Sequence, residues 1–397
     1  MMSPVALFDL DDTLLSTNTE QFLPGYFEFL GRALKHLATE EKITWQIHFA
    51  VEQMVANRDP GKTLKEVFAE HFYPPLGTTE AASKQRLEVF YRDEFPKLRP
   101  ITQVRPAAVA LIDWCRSEGI TMAVATNPLF PATATRQRIE WAGLNLSDFA
   151  FFTSYDDFHF TKPHLTYYAE VLGRLGWPDR PGVMVGDNLT YDLLPMDKMG
   201  FETFWVNPVD KGIRWDGGTL ADVKPWIKRS FQDNDQHPSD HPDVHLAILR
   251  STPAVFDTFT KTFSLNSGWE DPSGHLQNAL ASLTNAVAIE KEVYHPMWEQ
   301  MLSNPAVHLT NLRAADTPKP KSLPSQDIHT AMAQFIHTRK KTLAKIEALD
   351  EEIQFSQSDS QFCQAEPFFS QLLKDLADQD RHLLRQWVDL LDIHKIY

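Results

Sequence analysis

Up to about Lys228 the chain alternates short apolar runs with longer stretches of helical spacing. The runs are Val5–Phe8, Thr121–Thr126, Phe149–Thr153, Val183–Gly186 and Thr203–Val206, each followed by a polar or Gly/Pro-containing turn. Short apolar strands separated by helices predict an α/β fold, a parallel sheet covered by helices with its sites at the carboxyl ends of the strands. One block breaks the rhythm. From Ser16 to about Arg105 the apolar residues fall at helical spacing (Phe22, Tyr26, Phe29, Leu30, then Trp45, Phe49, Val51) with almost no β-type run. An all-helical cap inserted at 16–105, over the carboxyl end of the first strand, is therefore expected, with the core made of 1–15 and 106–230.

Between Phe231 and Val244 the sequence turns polar and carries two prolines, which predicts a linker at 231–243. Beyond it the β signal is gone. Helical segments are expected at Val244–Phe263, His275–Leu302, Asp327–Leu349 and Pro367–Ile393, with mobile loops at Ala314–Gln326 and Gln354–Glu366. Stripes such as Leu372, Leu376, Leu383, Trp387 and Leu390 give each helix one apolar face. Four such helices predict an all-α four-helix bundle over 244–397.

Composition narrows the function classes. The 397 residues carry 38 Lys+Arg against 53 Asp+Glu, a formal charge of −15, which argues against nucleic acid or an anionic membrane surface as partner. Cys115 and Cys363 are too few for a disulfide framework and lack metal spacing. No run of ~18 apolar residues occurs, and the first ten residues lack the pattern of a leader. A cytoplasmic protein is expected.

The chemistry concentrates at strand ends. Val5-Ala6-Leu7-Phe8-Asp9-Leu10-Asp11-Asp12-Thr13 ends an apolar strand in carboxylates spaced i, i+2. Charges there are expensive unless a cation or a hydrogen-bonding loop receives them, and two carboxylates in one crevice suit Mg²⁺, a hard ion with oxygen ligands. Thr126-Asn127, Thr161-Lys162-Pro163 and Gly186-Asp187-Asn188 with Asp192 stand at the ends of later strands. Taken alone, Asp11-Asp12-Thr13 is also a helix-start signal, Lys162 a surface lysine, Thr126 a plain β residue and Asp192 a helix-terminal acid. Their order along the chain favours the functional reading.

In this respect residues 5–210 resemble the haloacid dehalogenase superfamily of phosphohydrolases, whose four motifs are matched in order by Asp9-Leu10-Asp11-Asp12-Thr13, Thr126, Lys162-Pro163, and Gly186-Asp187 with Asp192. The resemblance implies a Rossmann-like sheet with a helical cap and a Mg²⁺-dependent phosphatase acting on a small phosphorylated metabolite. It makes Asp9 the nucleophile and Asp11 the general acid, then the base. Asp11 must carry a proton when substrate arrives, which crowded anionic neighbours would favour. Thr126 and Lys162 become binders of the phosphoryl oxygens, helped by backbone N–H groups of Leu10 and Asn127. Asp9, Asp187 and the Asp11 carbonyl become the metal ligands, with Asp192 and Asn188 behind them. An aspartate at position 11 favours phosphate esters over halide release, because an alkoxide needs a proton and a halide does not. Hydrolysis and transfer to a second alcohol, as in a phosphomutase, are not separated by these motifs. A scaffold with a vestigial site is the third reading. Cap residues Trp45, His48, Gln53 and Arg58 are weaker candidates for substrate contact, since aromatics and His on helices are more often core or surface.

The C-terminal segment resembles the DinB-like bundle family through Asn285-Ala286-Val287-Ala288-Ile289-Glu290 and Asp378-Gln379-Asp380-Arg381-His382-Leu383. That family's metal-binding histidines fall on Asn285, Gln379 and Leu383, none of them histidine, so no metal is expected there. His382 is one step off, which turns a helical side chain by ~100°. The expected role is a docking module for a second copy or another protein. His237, His241 and His245 have ladder spacing, but Pro238 and Pro242 between them argue against a helix and a metal site.

Overall fold

The computed structural model describes residues 3–178, 182–208, 215–232, 239–265, 275–303, 327–355 and 366–391. The chain divides into two compact units, Met1–Tyr168 with Pro178–Ser239, and Ala169–Trp177 with Asp240–Ile396.

The first unit is a six-stranded sheet with a helical insertion. Its strands are β1 (Val5–Phe8), then a separate short pair β2 (Leu15–Thr17) and β3 (Thr102–Val104), then β4 (Thr121–Val124), β5 (Phe151–Phe152), β6 (Gly182–Gly186), β7 (Glu202–Val206) and β8 (Asp216–Gly218). The sheet order is β5-β4-β1-β6-β7-β8 with every pairing parallel. β1 lies at the centre, Phe8 level with Val124 on one side and Val185 on the other. All four of its side chains are buried, which is why it reads as an unbroken apolar run rather than an alternating one.

Two expected strands are shorter than their apolar runs. β4 stops at Val124 and β5 has two residues, although Ala125 N–H still donates to Phe8 O at 2.7 Å and Thr153 N–H to Val124 O at 3.0 Å. Pairing continues at the edges while the chain turns towards its loops. β8 is an edge strand of sequence Asp-Gly-Gly, which carries no apolar signal and is not predicted by the pattern.

The insertion holds α1 (Thr19–Leu34), α2 (Glu40–Ala56), α3 (Leu64–Phe72) and α4 (Glu80–Val89), then short irregular turns to Ile101. Antiparallel β2 and β3, Thr17 level with Thr102, carry the chain in and out. The helices begin as their sequences direct: Asn18, Thr39, Thr63 and Thr79 accept N-terminal amides, and Thr63 with Glu66 forms a full capping box. Phe22, Tyr26, Phe90, Phe95 and Trp141 of the core-side helix α6 (Ala132–Trp141) join one apolar cluster with the sheet. Along the chain, helix α5 (Pro106–Ser117) precedes β4, α7 (Leu165–Arg174), which from Ala169 on belongs to the second unit, precedes β6, α8 (Leu194–Lys198) follows β6, and α9 (Leu220–Ser230) follows β8.

The second unit is helical: α10 (Pro242–Leu265), α11 (His275–Ile289), α12 (His295–Ser303), α13 (Ile328–Phe355) and α14 (Glu366–Leu391). A wider turn at Glu290–Tyr294 joins α11 to α12, so they run as one rod. Helix α10 starts two residues earlier than its apolar pattern, at Pro242, because proline fits the first turn of a helix. The described residues omit His237, the expected loop at 314–326 and most of the one expected at 354–366, whose ends are instead helical, in α13 and α14.

Phe256, Leu283, Met332, Phe335, Leu384 and Trp387 pack the centre of this unit. Beside them Arg339 is buried among acids: Nε donates to Glu290 at 3.0 Å, Nη2 to Asp380 at 2.8 Å, and Nη1 to Asp380 as well. Pro253 inside α10 lacks the N–H that would meet the Leu249 carbonyl four residues back, and Arg339 Nη1 donates to that carbonyl at 3.3 Å. A buried cation between two buried anions contributes little net stability, because desolvating the three charges offsets most of their attraction. Of the positions where the DinB-like resemblance puts ligands, Gln379 donates to the Tyr294 hydroxyl at 2.9 Å and Leu383 packs in the core. The Asn285 side-chain oxygen is buried without a protein partner. His245 lies inside α10, buried.

Candidate active site

The site gathers where β1, β4 and β6 end. Asp9 is the first residue past β1, and its N–H continues the ladder to Val185 O at 3.0 Å. The chain then turns tightly, with Leu14 and Leu15 N–H both on the Leu10 carbonyl and Asp12 in the left-handed region at φ 57°. Aspartate tolerates that conformation better than most residues, and here its carboxylate accepts from Thr17 N–H at 2.9 Å.

Lys162 reaches in from the loop after β5. Its ammonium donates to Asp9 at 2.8 Å and to Asp192 at 2.6 Å, and its side chain is 2% exposed. Asp192 is held in turn by the Asn188 N–H at 3.0 Å. This closeness needs Gly186: a Cβ there would lie 2.4 Å from the Asp192 carboxylate. Asp187 is half-buried, its carboxylate receiving the Thr13 hydroxyl at 3.4 Å and its carbonyl the Trp205 indole N–H at 2.7 Å. Carboxylate oxygens of Asp9, Asp187 and Asp192 lie within 4.8 Å of one another.

The electrostatics follow. Burial pushes the Asp9 carboxyl up to about 8, with Asp192 and Asp187 adding to the rise and Lys162 opposing it. Burial likewise lifts Asp187 to about 6, helped by Asp192 and Asp12. Burial disfavours the charged form of Lys162, but Asp192 and Asp9 outweigh it and hold the ammonium well above its usual range. Asp9 and Asp192 pair with the one ammonium, and the Asp187 carboxylate lies beside them. The excess negative charge and the all-oxygen donor set fit a hard divalent cation.

The structure brings Asp9, Lys162, Asp187 and Asp192 together. Thr126 is buried just beyond β4, its carbonyl fixed by the Tyr167 hydroxyl at 2.8 Å. Next to it the Asn127 side-chain oxygen is buried with no protein partner. The Leu10 side chain is core, so only its backbone can serve a ligand. Asn188 uses its side chain to cap the following turn, accepting from Thr190 and Tyr191 N–H at 3.0 Å. Asp11 differs from expectation in its surroundings. Instead of anions its carboxylate meets the Arg138 guanidinium at 2.5 Å and the Thr17 hydroxyl at 2.9 Å. Arg138 sits on α6, 2% exposed and over the Phe130 ring at 4.5 Å. Nothing local in its sequence announces it, because only the tertiary fold brings α6 to the β1 loop.

Three of the four weaker insertion candidates have structural employments. Trp45 is 62% exposed and stacked on Phe49 at 5.6 Å, His48 packs on Phe27 at 4.8 Å, and Arg58 donates to the Val55 and Asn57 carbonyls.

A family profile described as haloacid dehalogenase-like hydrolase matches residues 4–200. Residues 4–200 are a haloacid dehalogenase-like hydrolase domain. Among solved structures, a haloacid dehalogenase phosphatase from Thermococcus onnurineus is 21% identical, covering 57% of this chain and 99% of its own, with a TM-score of 0.37. A 2-haloacid dehalogenase from Pseudomonas syringae pv. Tomato DC3000 is 21% identical over 57% of this chain and 99% of its own, with a TM-score of 0.41. No curated protein matches the chain. The hydrolase domain thus contains the whole carboxylate–lysine cluster, since Asp9, Lys162, Asp187 and Asp192 all fall inside the matched span. No helix among the described residues is long and apolar enough to cross a membrane.

Proposed function

We propose that the hydrolase domain is a Mg²⁺-dependent phosphatase of small phosphate monoesters, working through an aspartyl-phosphate on Asp9. The observation that carries this reading is Lys162, buried between Asp9 and Asp192 with Asp187 alongside. A lone carboxylate repels a phosphate dianion, by ~1 kcal/mol per charge pair at 4 Å in water and more in a drier site. Bound Mg²⁺, held by Asp9, Asp187 and the Asp11 carbonyl, would supply the charge that cancels this repulsion.

The chain's own residues do the rest. An Asp9 oxygen attacks phosphorus, and the P–O bond to the leaving alcohol breaks as Asp11 gives that oxygen its proton. Water then attacks the phosphorus of the acyl-phosphate, Asp11 takes the water's proton, and Asp9 leaves as carboxylate. Lys162, the Thr126 hydroxyl and the backbone N–H groups of Leu10 and Asn127 hold the phosphoryl oxygens. Asp192 orients Lys162, and Asn188 N–H orients Asp192. To reach an ester oxygen, Asp11 turns away from Arg138. The helical unit we read as a DinB-like bundle serving as an interaction module.

A panel of phosphate monoesters, p-nitrophenyl phosphate first, assayed with Mg²⁺ and with a chelator tests the reading. Turnover that appears only with the divalent cation is expected. A domain that releases phosphate from no member of the panel contradicts it, and faster capture of the phosphoryl group by an added alcohol than by water points to a phosphomutase instead.

A further inference from the structure

We infer that Asn57, in the helical insertion, is a positioning residue for Lys162, acting through the loop that carries the lysine. The inference rests on the phosphatase reading above for its kinetic consequence, but its geometry stands alone. Residues 155–162 run from the end of β5 to the active-site ammonium with no regular structure of their own. Such a loop holds a catalytic cation in place only if other elements hold the loop.

One side of it is held by the core. Tyr155 N–H donates to Phe130 O at 3.0 Å, and the Asp156 carboxylate receives Ala132 N–H, at the start of α6, at 2.7 Å. The other side is held by the insertion. The first amides of a helix have no partner within it. In α3 the capping box takes the Glu66 amide, while the Leu64 and Lys65 amides cross to the loop and donate to Phe158 O and Tyr155 O, each at 2.8 Å. Lys65 adds an ion pair to Asp156 at 3.2 Å.

Asn57 completes the clasp at the point nearest Lys162. It ends α2 in an extended conformation, and its amide nitrogen donates to His159 O at 2.9 Å, three residues before the lysine. The same nitrogen faces Asp59 O at 3.2 Å and Lys62 O at 3.4 Å, while its oxygen accepts from Asp59 N–H at 3.1 Å. Only an NH₂ group can face three carbonyls, so the orientation of the amide is fixed by its partners. One side chain therefore folds the 57–62 connector and ties it to the lysine loop. His159, Phe160, Thr161 and Lys162 are all buried, so a displacement at His159 has little slack to absorb it before the ammonium moves.

The test compares Asn57→Asp and Asn57→Ala with wild type and with Lys62→Ala, which removes only the surface ion pair to Glu70. Asn57→Asp keeps the acceptor for Asp59 N–H but sets a carboxylate oxygen against the His159, Asp59 and Lys62 carbonyls together, whereas Asn57→Ala removes the donor without adding a charge. Expected is a fall in kcat of about 10- to 100-fold with KM changed less than about twofold, since small misplacements of a catalytic group cost rate more than binding. Hydrogen exchange across 154–164 should quicken in both variants, with β1 and β6 unchanged, and Lys62→Ala should match wild type in both measurements. An active wild type whose kcat and exchange are unmoved by Asn57→Asp overturns the inference and leaves the phosphatase reading intact. If wild type turns over no phosphoester, that reading fails, and exchange alone decides: faster at 154–164 supports the clasp, unchanged overturns it.

Discussion

Asp9→Asn is expected to lower kcat on phosphate monoesters by on the order of 10⁴-fold, because an amide oxygen cannot form the acyl-phosphate on which both half-reactions depend. The same variant carries a stability signature of opposite sign. Burial, Asp192 and Asp187 hold the Asp9 carboxyl up at about 8 against the pull of Lys162. A raised folded pKa means that the fold favours the protonated acid. Its contribution is full below the ordinary carboxyl value of ~3.9 and is lost as pH rises through about 8. Asparagine has no proton to lose. With divalent cations chelated, the Tm of Asp9→Asn should therefore exceed that of wild type at ~pH 9, and the gap should narrow towards ~pH 5. A variant that is inactive and no more stable at the higher pH would separate the catalytic claim from the electrostatic one.

Lys162→Met should act the other way on stability. It leaves Asp9 and Asp192 buried without the ammonium that touches both, and removing one partner of such a cluster costs about 3–5 kcal/mol. Part of that loss should return when Mg²⁺ is added, because a divalent cation on the same carboxylates replaces the missing charge. Turnover should stay low, by on the order of 10²–10³-fold, since no cation on the metal side reaches the oxygens that Lys162 would hold. Thermal melts of the variant with and without Mg²⁺, run beside initial rates, check both parts. A melt indifferent to Mg²⁺ would mean that the carboxylates do not form a cation site.

The strands at the centre of the sheet were legible because burial on both faces leaves an unbroken apolar run, as in Val5-Ala6-Leu7-Phe8. The insertion was legible as an absence of such runs over eighty-odd helix-patterned residues bounded by Ser16 and Arg105, roughly the stretch that β2 and β3 enclose. Asp-Gly-Gly at β8 was not, since an edge strand with little side chain to bury gives no apolar pattern. The site divides in the same way. Asp9 and Asp187 could be picked out because each directly follows an apolar run, whereas Lys162 and Asp192 lie further along their loops and are marked only by the order of the motifs along the chain. Arg138 beside Asp11, Thr13 on Asp187 and Asn57 behind Lys162 depend on which helix or loop the fold brings alongside, and no spacing along the chain encodes that. The Asp11 expectation failed in its surroundings for this reason: the motif shows the acids near it in sequence but not the guanidinium that arrives from α6.

On this mechanism every phosphoryl group passes through Asp9. Wild-type protein mixed with a turned-over phosphomonoester and Mg²⁺, quenched in acid within the first turnover and reduced with borohydride, can be digested and read by peptide mass spectrometry. A reduced acyl-phosphate is expected at Asp9 and nowhere else, absent when Mg²⁺ is chelated. Turnover with Asp9 unmodified, or with the label on another residue, would contradict it.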